Sequence, residues 1–357
     1  MLAAIDAART SVCLESYIFS DSTLGRRFLD VLLRARQRGV RARVLVDAFG
    51  SLTLADEFWR PLREAGGEAR FFNPLALDRF EIRNHRKLLV CDDRVAFVGG
   101  FNIAPEYEGD GVTQGWRDVG LQLEGPIAAD LALSFEEMFA LADFRHKRFA
   151  RFRRGPLRRL IGSAGREILI GGPGLGRNPI RRALQADLAQ AREARIVVAY
   201  FLPRGKLRRT LTRVARRGGL LHLILPGRSD VYMSQLAAQG LYRRFLKAGA
   251  KICEYQPQIL HAKLFVIDDI VYVGSANLDP RSLSINYELM LRFQNAQMAG
   301  EARDIFNQVQ EHSRPVELKE WLRTRTFWAR LKRRWAYFVL ARVDPYVASR
   351  QWRSLKD

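Results

Sequence analysis

The chain has 357 residues, 48% apolar, 10% aromatic and 27% charged, which suits a packed protein with room for two cores and excludes disorder over most of its length. No run of about 18 uncharged apolar residues occurs, so no spanning helix is expected, and no basic-then-apolar leader opens the chain. Lys and Arg outnumber Asp and Glu by 59 to 38, a formal net charge of +21, so the surface is expected to meet nucleic acid or an anionic membrane face; an arginine-rich solvated surface is the plainer alternative.

In chain order, residues 12–19 (VCLESYIF) read as a buried strand, 26–38 as an amphipathic helix stopped by Gly39, and 40–46 as a strand running into Asp47. The second half repeats this order. Residues 196–202 (IVVAYFL) form a strand, 207–217 a helix stopped by Gly218 and Gly219, and 220–225 the next strand, so that Tyr17 matches Tyr200 and Gly39 matches Gly218. Strand–helix–strand units with short connections predict a duplicated α/β unit and a mainly parallel sheet. Between the copies, residues 145–159 hold eight Lys or Arg and no acid, punctuated by Gly155-Pro156. The expected organisation is a first domain over 1–143, a basic linker over 144–166, a second domain over 167–313 and a basic aromatic tail over 314–357.

Five histidines and nine lysines in the chain make a chance His-x-Lys a rare event, about 0.1 per sequence of this composition. Two occur, in corresponding places. His85-Arg86-Lys87 is followed after four residues by Asp92, and His261-Ala262-Lys263 after four residues by Asp268. Each leads to a small-residue turn with an Asn, Gly99-Gly100-Phe101-Asn102 and Gly274-Ser275-Ala276-Asn277. Both motifs read as strand, turn, strand, with a turn one residue shorter in the second copy. On a strand, His and Lys two apart face the same side. A neutral imidazole there can attack phosphorus while the ammonium beside it offsets charge on the phosphoryl oxygens. Asp92 and Asp268 fall on the opposite parity near the turn, where spacing alone gives them a turn-stabilising role. The glycines permit close backbone approach, and Asn102 and Asn277 can donate their amides to a phosphate. His146, His222 and His312 have no such company and read as ordinary structural residues. Cys13, Cys91 and Cys253 fit neither a disulfide framework nor a zinc site; Cys91 and Cys253 read as buried thiols, and a reducing compartment is expected.

These residues resemble the phospholipase D superfamily, whose signature is two HxKx4D motifs followed by GGxN or GSxN, over nearly the whole chain. The segments GWRDVGLQLEGP (115–126), LPGRSD (225–230) and NLDPRSLSINYELM (277–290) look like those of bacterial cardiolipin synthases. The resemblance implies two tandem α/β/α units about a pseudo-two-fold axis, with one shared active site at their interface. It places His85, Lys87, Asp92, His261, Lys263 and Asp268 in the catalytic motif. It implies a phosphohistidine mechanism without metal or other cofactor, in which His85 attacks and His261 serves as acid and base, though the symmetry of the motifs allows the reverse. It also suggests that Asp118 and Glu288, each about one strand beyond the histidine of its own copy, orient the imidazoles. The implied activity is transfer of a phosphatidyl group from phosphatidylglycerol to a second phospholipid. A nuclease or phosphodiesterase acting on nucleic acid, and a hydrolytic phospholipase D, are the alternatives within the same chemistry. These enzymes usually carry a strand ahead of the helix-like LAAIDAART that opens this chain.

In the tail, Trp321, Trp328 and Trp335 recur every seven residues, with Leu331 and Phe338 near the same helical face. Six Lys or Arg and no acid lie within 323–334. That is the pattern of a helix in a membrane interface; a helix packed on the second domain with its basic side solvated is the alternative. The linker, with Phe144, Phe149 and Phe152 among its arginines, has the same character. Phospholipid substrates and an anionic membrane are therefore the expected partners, no obligate protein partner is implied, and the expected location is the cytoplasmic face of the cell membrane, peripherally.

Overall fold

A computed structural model of the chain describes residues 1–74, 82–142, 159–161, 165–173, 178–323 and 326–343. The first half runs α1 (Leu2–Ala7), β1 (Ser11–Ser16), α2 (Thr23–Gln37), β2 (Arg41–Asp47), α3 (Arg60–Glu64), β3 (Glu68–Phe72), β4 (Leu88–Cys91), β5 (Val95–Gly99), β6 (Gly120–Glu124) and α4 (Pro126–Ala140). The second runs β7 (Arg159–Ile161), β8 (Arg166–Gly171), α5 (Pro179–Gln190), β9 (Glu193–Val198), α6 (Gly205–Arg216), β10 (Leu220–Pro226), α7 (Tyr232–Leu246), β11 (Lys251–Tyr255), β12 (Lys263–Ile267), β13 (Ile270–Gly274), α8 (Pro280–Ser284), β14 (Glu288–Gln294) and α9 (Ala296–Glu311). After these come β15 (Ser313–Pro315), α10 (Leu318–Arg323) and α11 (Phe327–Phe338), the last continued by a wider turn over Val339–Val343.

The strands form two sheets, ordered β3-β2-β1-β4-β5-β6 and β15-β11-β10-β9-β12-β13-β14-β8-β7. The repeat is visible strand for strand, β1 to β6 answering β9 to β14. Each sheet is mixed rather than mainly parallel: β1, β2 and β3 run parallel, as do β9, β10 and β11, but the motif strands join them antiparallel. The strands after each His-x-Lys also form a hairpin closed by a short turn, which adds an antiparallel pair, β4 with β5 and β12 with β13. β8 and β7 extend the second sheet beyond β14, whereas the described first sheet ends at β6, whose alternate residues are exposed.

Helices cover both faces of each sheet. α2 packs Phe28, Leu32 and Ala35 on one face of the first sheet, and α4 packs Leu131, Phe135 and Met138 on the other. The α4 layer is shared, because Leu289, Leu291 and Ile170 of the second sheet join the same apolar cluster. A core that spans the halves fixes their mutual position, which is what the site requires. Gly39 and Gly218 end α2 and α6 at φ +85° each, the left-handed conformation that glycine takes without a Cβ penalty. The basic linker expected over 144–166 lies almost wholly outside the described residues, and with it Phe144, His146, Phe149 and Phe152.

The tail departs from the expected single stripe. α10 ends at Arg323 and α11 restarts behind a Thr326 cap, so the seven-residue spacing does not keep one face. Trp321 turns inward against Tyr242, ring centroids 4.9 Å apart, and Arg333 covers it at 4.2 Å. α11 buries Ala336 in the second core yet leaves Phe327, Trp328, Leu331, Trp335 and Phe338 exposed. The helix therefore has an inner packing edge and an outer aromatic one. Among the described residues no helix is long and apolar enough to cross a membrane.

Candidate active site

The two motif histidines sit just ahead of their strands, where the chain leaves its own sheet and pairs with the other half. Asn84 bridges Tyr287, with the His85 amide donating to the Tyr287 carbonyl at 2.9 Å. Leu260 bridges Arg117, with the His261 amide donating to the Arg117 carbonyl at 2.8 Å. These crossed bridges deliver the residue after each partner to the opposite imidazole. His85 Nδ1 donates to Glu288 Oε2 at 3.1 Å, and His261 Nδ1 donates to Asp118 Oδ2 at 2.7 Å. The sequence spacing pairs each carboxylate with the histidine of its own copy, and the structure exchanges them. The reason is that β6 and β14 follow their histidines in sequence but begin at the interface, beside the other half. Each half thus supplies one imidazole and orients the other's. Holding Nδ1 turns Nε2 of each ring away from its carboxylate, and His261 Nε2 has Lys263 Nζ at 3.1 Å and Tyr107 Oη at 3.5 Å.

His85 and His261 line one cavity of about 370 Å³, whose walls come from both halves. Lys87 and Lys263 are fully buried behind them. Lys87 Nζ donates to the His85 carbonyl at 2.7 Å, and Lys263 Nζ lies 2.8 Å from His261 Nδ1. Burial, reinforced by the charges of Lys87 and Lys263, holds the His85 imidazole well below its ordinary range, which favours its neutral form. Burial and Lys263 also lower His261, but Asp118 pulls it back toward protonation. Burial pushes the Glu288 carboxyl up to about 7 against the opposing effects of Lys87, Ser275, Ser282 and Lys263. Burial likewise lowers Lys263 to about 8 and Lys87 well below its ordinary value.

The small-residue turns serve the carboxylates. Ser275 donates its hydroxyl to Glu288. The corresponding position in the first copy is Gly100, and a Cβ there would lie 2.3 Å from Asp118 Oδ1. Asp118 is one carbon shorter than Glu288 and occupies the space that the Ser275 side chain fills in the other half. The difference between GGxN and GSxN is therefore steric. Asn102 accepts the Ile18 amide and donates to Tyr107 Oη at 2.7 Å, whereas Asn277 accepts the Tyr200 amide at 3.3 Å and its own amide meets no acceptor among the described residues. Both asparagines line the cavity, but Asn277 is the freer donor toward a phosphate.

Asp92 and Asp268, the last members of the two motifs, lie away from the imidazoles. Asp92 occupies a left-handed turn at φ +54° and accepts the amides of Arg9, Thr10 and Ser11 at 2.7–3.1 Å. Asp268, at φ +49°, accepts those of Arg192 and Glu193 at 2.9–3.2 Å. Burial raises the Asp92 carboxyl, and the three amides more than offset it, leaving it below the ordinary range. Both are struts that pin the motif hairpin to the start of β1 or β9. Their place in the catalytic motif is thus one of fold rather than of contact with substrate. The shorter second turn is also real: two residues separate Ile267 from Ile270, and three separate Cys91 from Val95.

Several cavity residues escaped the motif reading. Tyr17 meets His85 edge-on at 5.0 Å, while Tyr107 and Trp116 flank His261 at 5.3 and 5.5 Å. Tyr200 donates to Asp230 at 2.6 Å, and Arg83 and Arg281 bring charge to the wall. Trp116, Asp230 and Arg281 sit in the three segments whose resemblance was noted above, which was the available signal. Phe49, Val231 and Leu340 add apolar wall, the first two of them exposed. The remaining described histidine of the core, His222, faces Cys253 at 3.4 Å and lies outside the cavity; the three cysteines are free and buried. Among the described residues no group of three or more His, Cys, Asp or Glu is placed to hold a metal.

Comparison with known proteins agrees in extent. The family model described as "Cardiolipin synthase, PLD-like domain" matches residues 1–115 and 184–310. The chain is 36% identical over 297 residues to cardiolipin synthase B of Salmonella typhimurium, covering 81% of this chain and 71% of that one. It is 30% identical over 331 residues to cardiolipin synthase 1 of Bacillus cereus, covering 89% and 65%. In three dimensions it resembles the crystal structure of phosphatidylserine synthase from Haemophilus influenzae, with a TM-score of 0.73 at 15% identity over 97% of this chain and 91% of that one, a likeness of fold. With the duplicated motif, the paired sheets and these matches in hand, the chain belongs to the cardiolipin synthase family of phospholipase D-like enzymes.

Proposed function

We propose that this enzyme transfers a phosphatidyl group from phosphatidylglycerol to the hydroxyl of a second phospholipid, through a phosphohistidine intermediate. The observation that carries the proposal is the meeting of both His-x-Lys pairs in one cavity, each imidazole held at Nδ1 by a carboxylate of the opposite half. In the first step His85 Nε2 attacks phosphorus and the P–O bond to the headgroup glycerol breaks. His261 gives its proton to the departing glycerol oxygen. In the second, His261 takes the proton of the acceptor hydroxyl, whose oxygen displaces His85 from phosphorus. The neutral state of His85 favours attack, and Asp118 favours the protonated form that His261 needs in the first step. A bound phosphodiester supplies the negative charge that favours the ammonium forms of Lys87 and Lys263, which then stabilise the crowded phosphorane. Asn277 adds a neutral donor. No step draws on a metal or cofactor.

We place the mouth against an anionic bilayer as a peripheral protein. The exposed aromatics of α11 run on, through Val339–Val343, into Leu340 on the cavity wall, and Phe49 and Val231 add exposed apolar surface there. Aromatics at headgroup depth with Arg and Lys beside them suit a membrane interface.

Purified protein is incubated with labelled phosphatidylglycerol, and separately with plasmid and single-stranded DNA. Cardiolipin with release of glycerol and intact DNA supports the proposal. Phosphatidic acid as the sole lipid product selects hydrolysis, and cut DNA with untouched lipid selects a nuclease.

A further inference from the structure

A second cavity, of about 410 Å³, opens between α7 and α11 on the outside of the second core. It shares no lining residue with the catalytic cavity, but Tyr337 on its wall is three residues, about one helical turn, from Leu340 on the wall of the catalytic cavity. Its lining includes Arg208, Arg243, Arg330, Arg333 and Arg334 and no Asp or Glu. Arg208 donates to Tyr337 Oη at 2.7 Å, and the described residues offer no carboxylate to Arg208, Arg243, Arg330 or Arg334. Trp321 also lines it, tilted at 42° against Tyr242 and covered by the Arg333 guanidinium. The outer lip is Phe327 and Leu331, which are 68% and 47% exposed.

Several guanidinium groups converging on one concavity repel each other, and a bound anion relieves that repulsion. Guanidinium groups match phosphate oxygens in bidentate geometry. An aromatic lip facing outward on the same helix as Trp328 and Trp335 adds an apolar border that a free anion cannot use and a lipid can. The volume lies in the range of small-molecule sites. We propose that this cleft binds the phosphate-bearing headgroup of an anionic membrane phospholipid, as a site separate from the catalytic cavity. It does not depend on which reaction the two histidines perform. A lipid held there lies one helical turn from the wall of the catalytic cavity and keeps that cavity on anionic membrane.

The test counts bound lipid by native mass spectrometry, using dihexanoyl-phosphatidylglycerol below its micelle concentration and the full chain. Two variants are compared with the parent. Arg243→Ser/Arg330→Ser/Arg334→Ser removes three exposed charges, and Gln239→Trp fills the cleft without removing charge; thermal melts verify that each is folded. Both variants should bind one phosphatidylglycerol fewer per chain than the parent, with at least a tenfold loss in the affinity of that class. The readout is the difference of one, so a catalytic cavity that takes no phosphatidylglycerol leaves the test intact. Equal counts in parent and variants overturn the proposal. So does inorganic phosphate displacing the lost lipid at equal concentration, which marks a free-phosphate site, or dihexanoyl-phosphatidylcholine binding as well, which marks an apolar patch alone.

Discussion

The two half-sites are built from one plan and differ where the chemistry needs them to. His85 leans on Glu288, a fully buried carboxyl that also receives Ser275, and among the described residues has one ring, Tyr17, beside it. His261 leans on the shorter Asp118, which needs the empty space at Gly100, and sits between Tyr107 and Trp116. A symmetric fold thus holds two imidazoles in unequal fields. The proposed two-step transfer asks one imidazole to start neutral and the other protonated, and these small asymmetries are where that division would arise.

The largest effect separates the two histidines. His85→Ala and His261→Ala should each lower turnover by at least ~10⁴-fold. With a phosphatidyl substrate carrying a p-nitrophenol leaving group, which departs without an acid, His261→Ala should still accumulate a phosphatidyl-enzyme detectable by mass, and His85→Ala should not. An adduct in His85→Ala instead reverses the assignment. Mixing the two dead variants should restore nothing, because both histidines of a site belong to one chain.

The carboxylates come next. Glu288→Gln and Asp118→Asn should each cost on the order of 10²–10⁴ in kcat, as expected when an imidazole loses the group that sets its tautomer. The pH profile tells them apart. Burial pushes the Glu288 carboxyl up to about 7, and its ionised form is the one that accepts from His85, so the rate should fall as pH drops through about 7. Glu288→Gln should remove that limb. Survival of the limb in the variant would assign it elsewhere.

Filling the space beside Asp118 tests the steric half of the comparison. Gly100→Ala should displace Asp118 and lower kcat by roughly 10–100-fold, while Ser275→Ala, which deletes one bond to Glu288, should cost less. Similar losses in both would mean that the GG and GS turns are interchangeable.

The smallest effect on rate belongs to the motif aspartates. Asp92→Ala leaves three amides without their acceptor and should lower stability by about 1–3 kcal/mol, read as a lower denaturant midpoint, with kcat nearly unchanged in the folded enzyme. A collapse of kcat in a protein that melts normally would return Asp92 to the reaction.

Much of this architecture is written locally. The doubled His-x-Lys spacing, the hairpins that follow and the glycine stops at Gly39 and Gly218 all depend on neighbours within a few residues, so pattern and turn chemistry reveal them. The basic aromatic tail is likewise visible in composition, yet its seven-residue tryptophan period was misleading, because a helix break at Thr326 sends Trp321 inward. The pairing of Glu288 with His85 and of Asp118 with His261 joins residues 203 and 143 positions apart. No local pattern encodes it. It follows from the shared α4 core and the crossed bridges, which carry the start of β6 and β14 to the other half. The sequence by itself determined which groups could do the chemistry; only packing of one half on the other decided which carboxylate serves which imidazole, since that choice depends on how two sheets meet rather than on how either one folds.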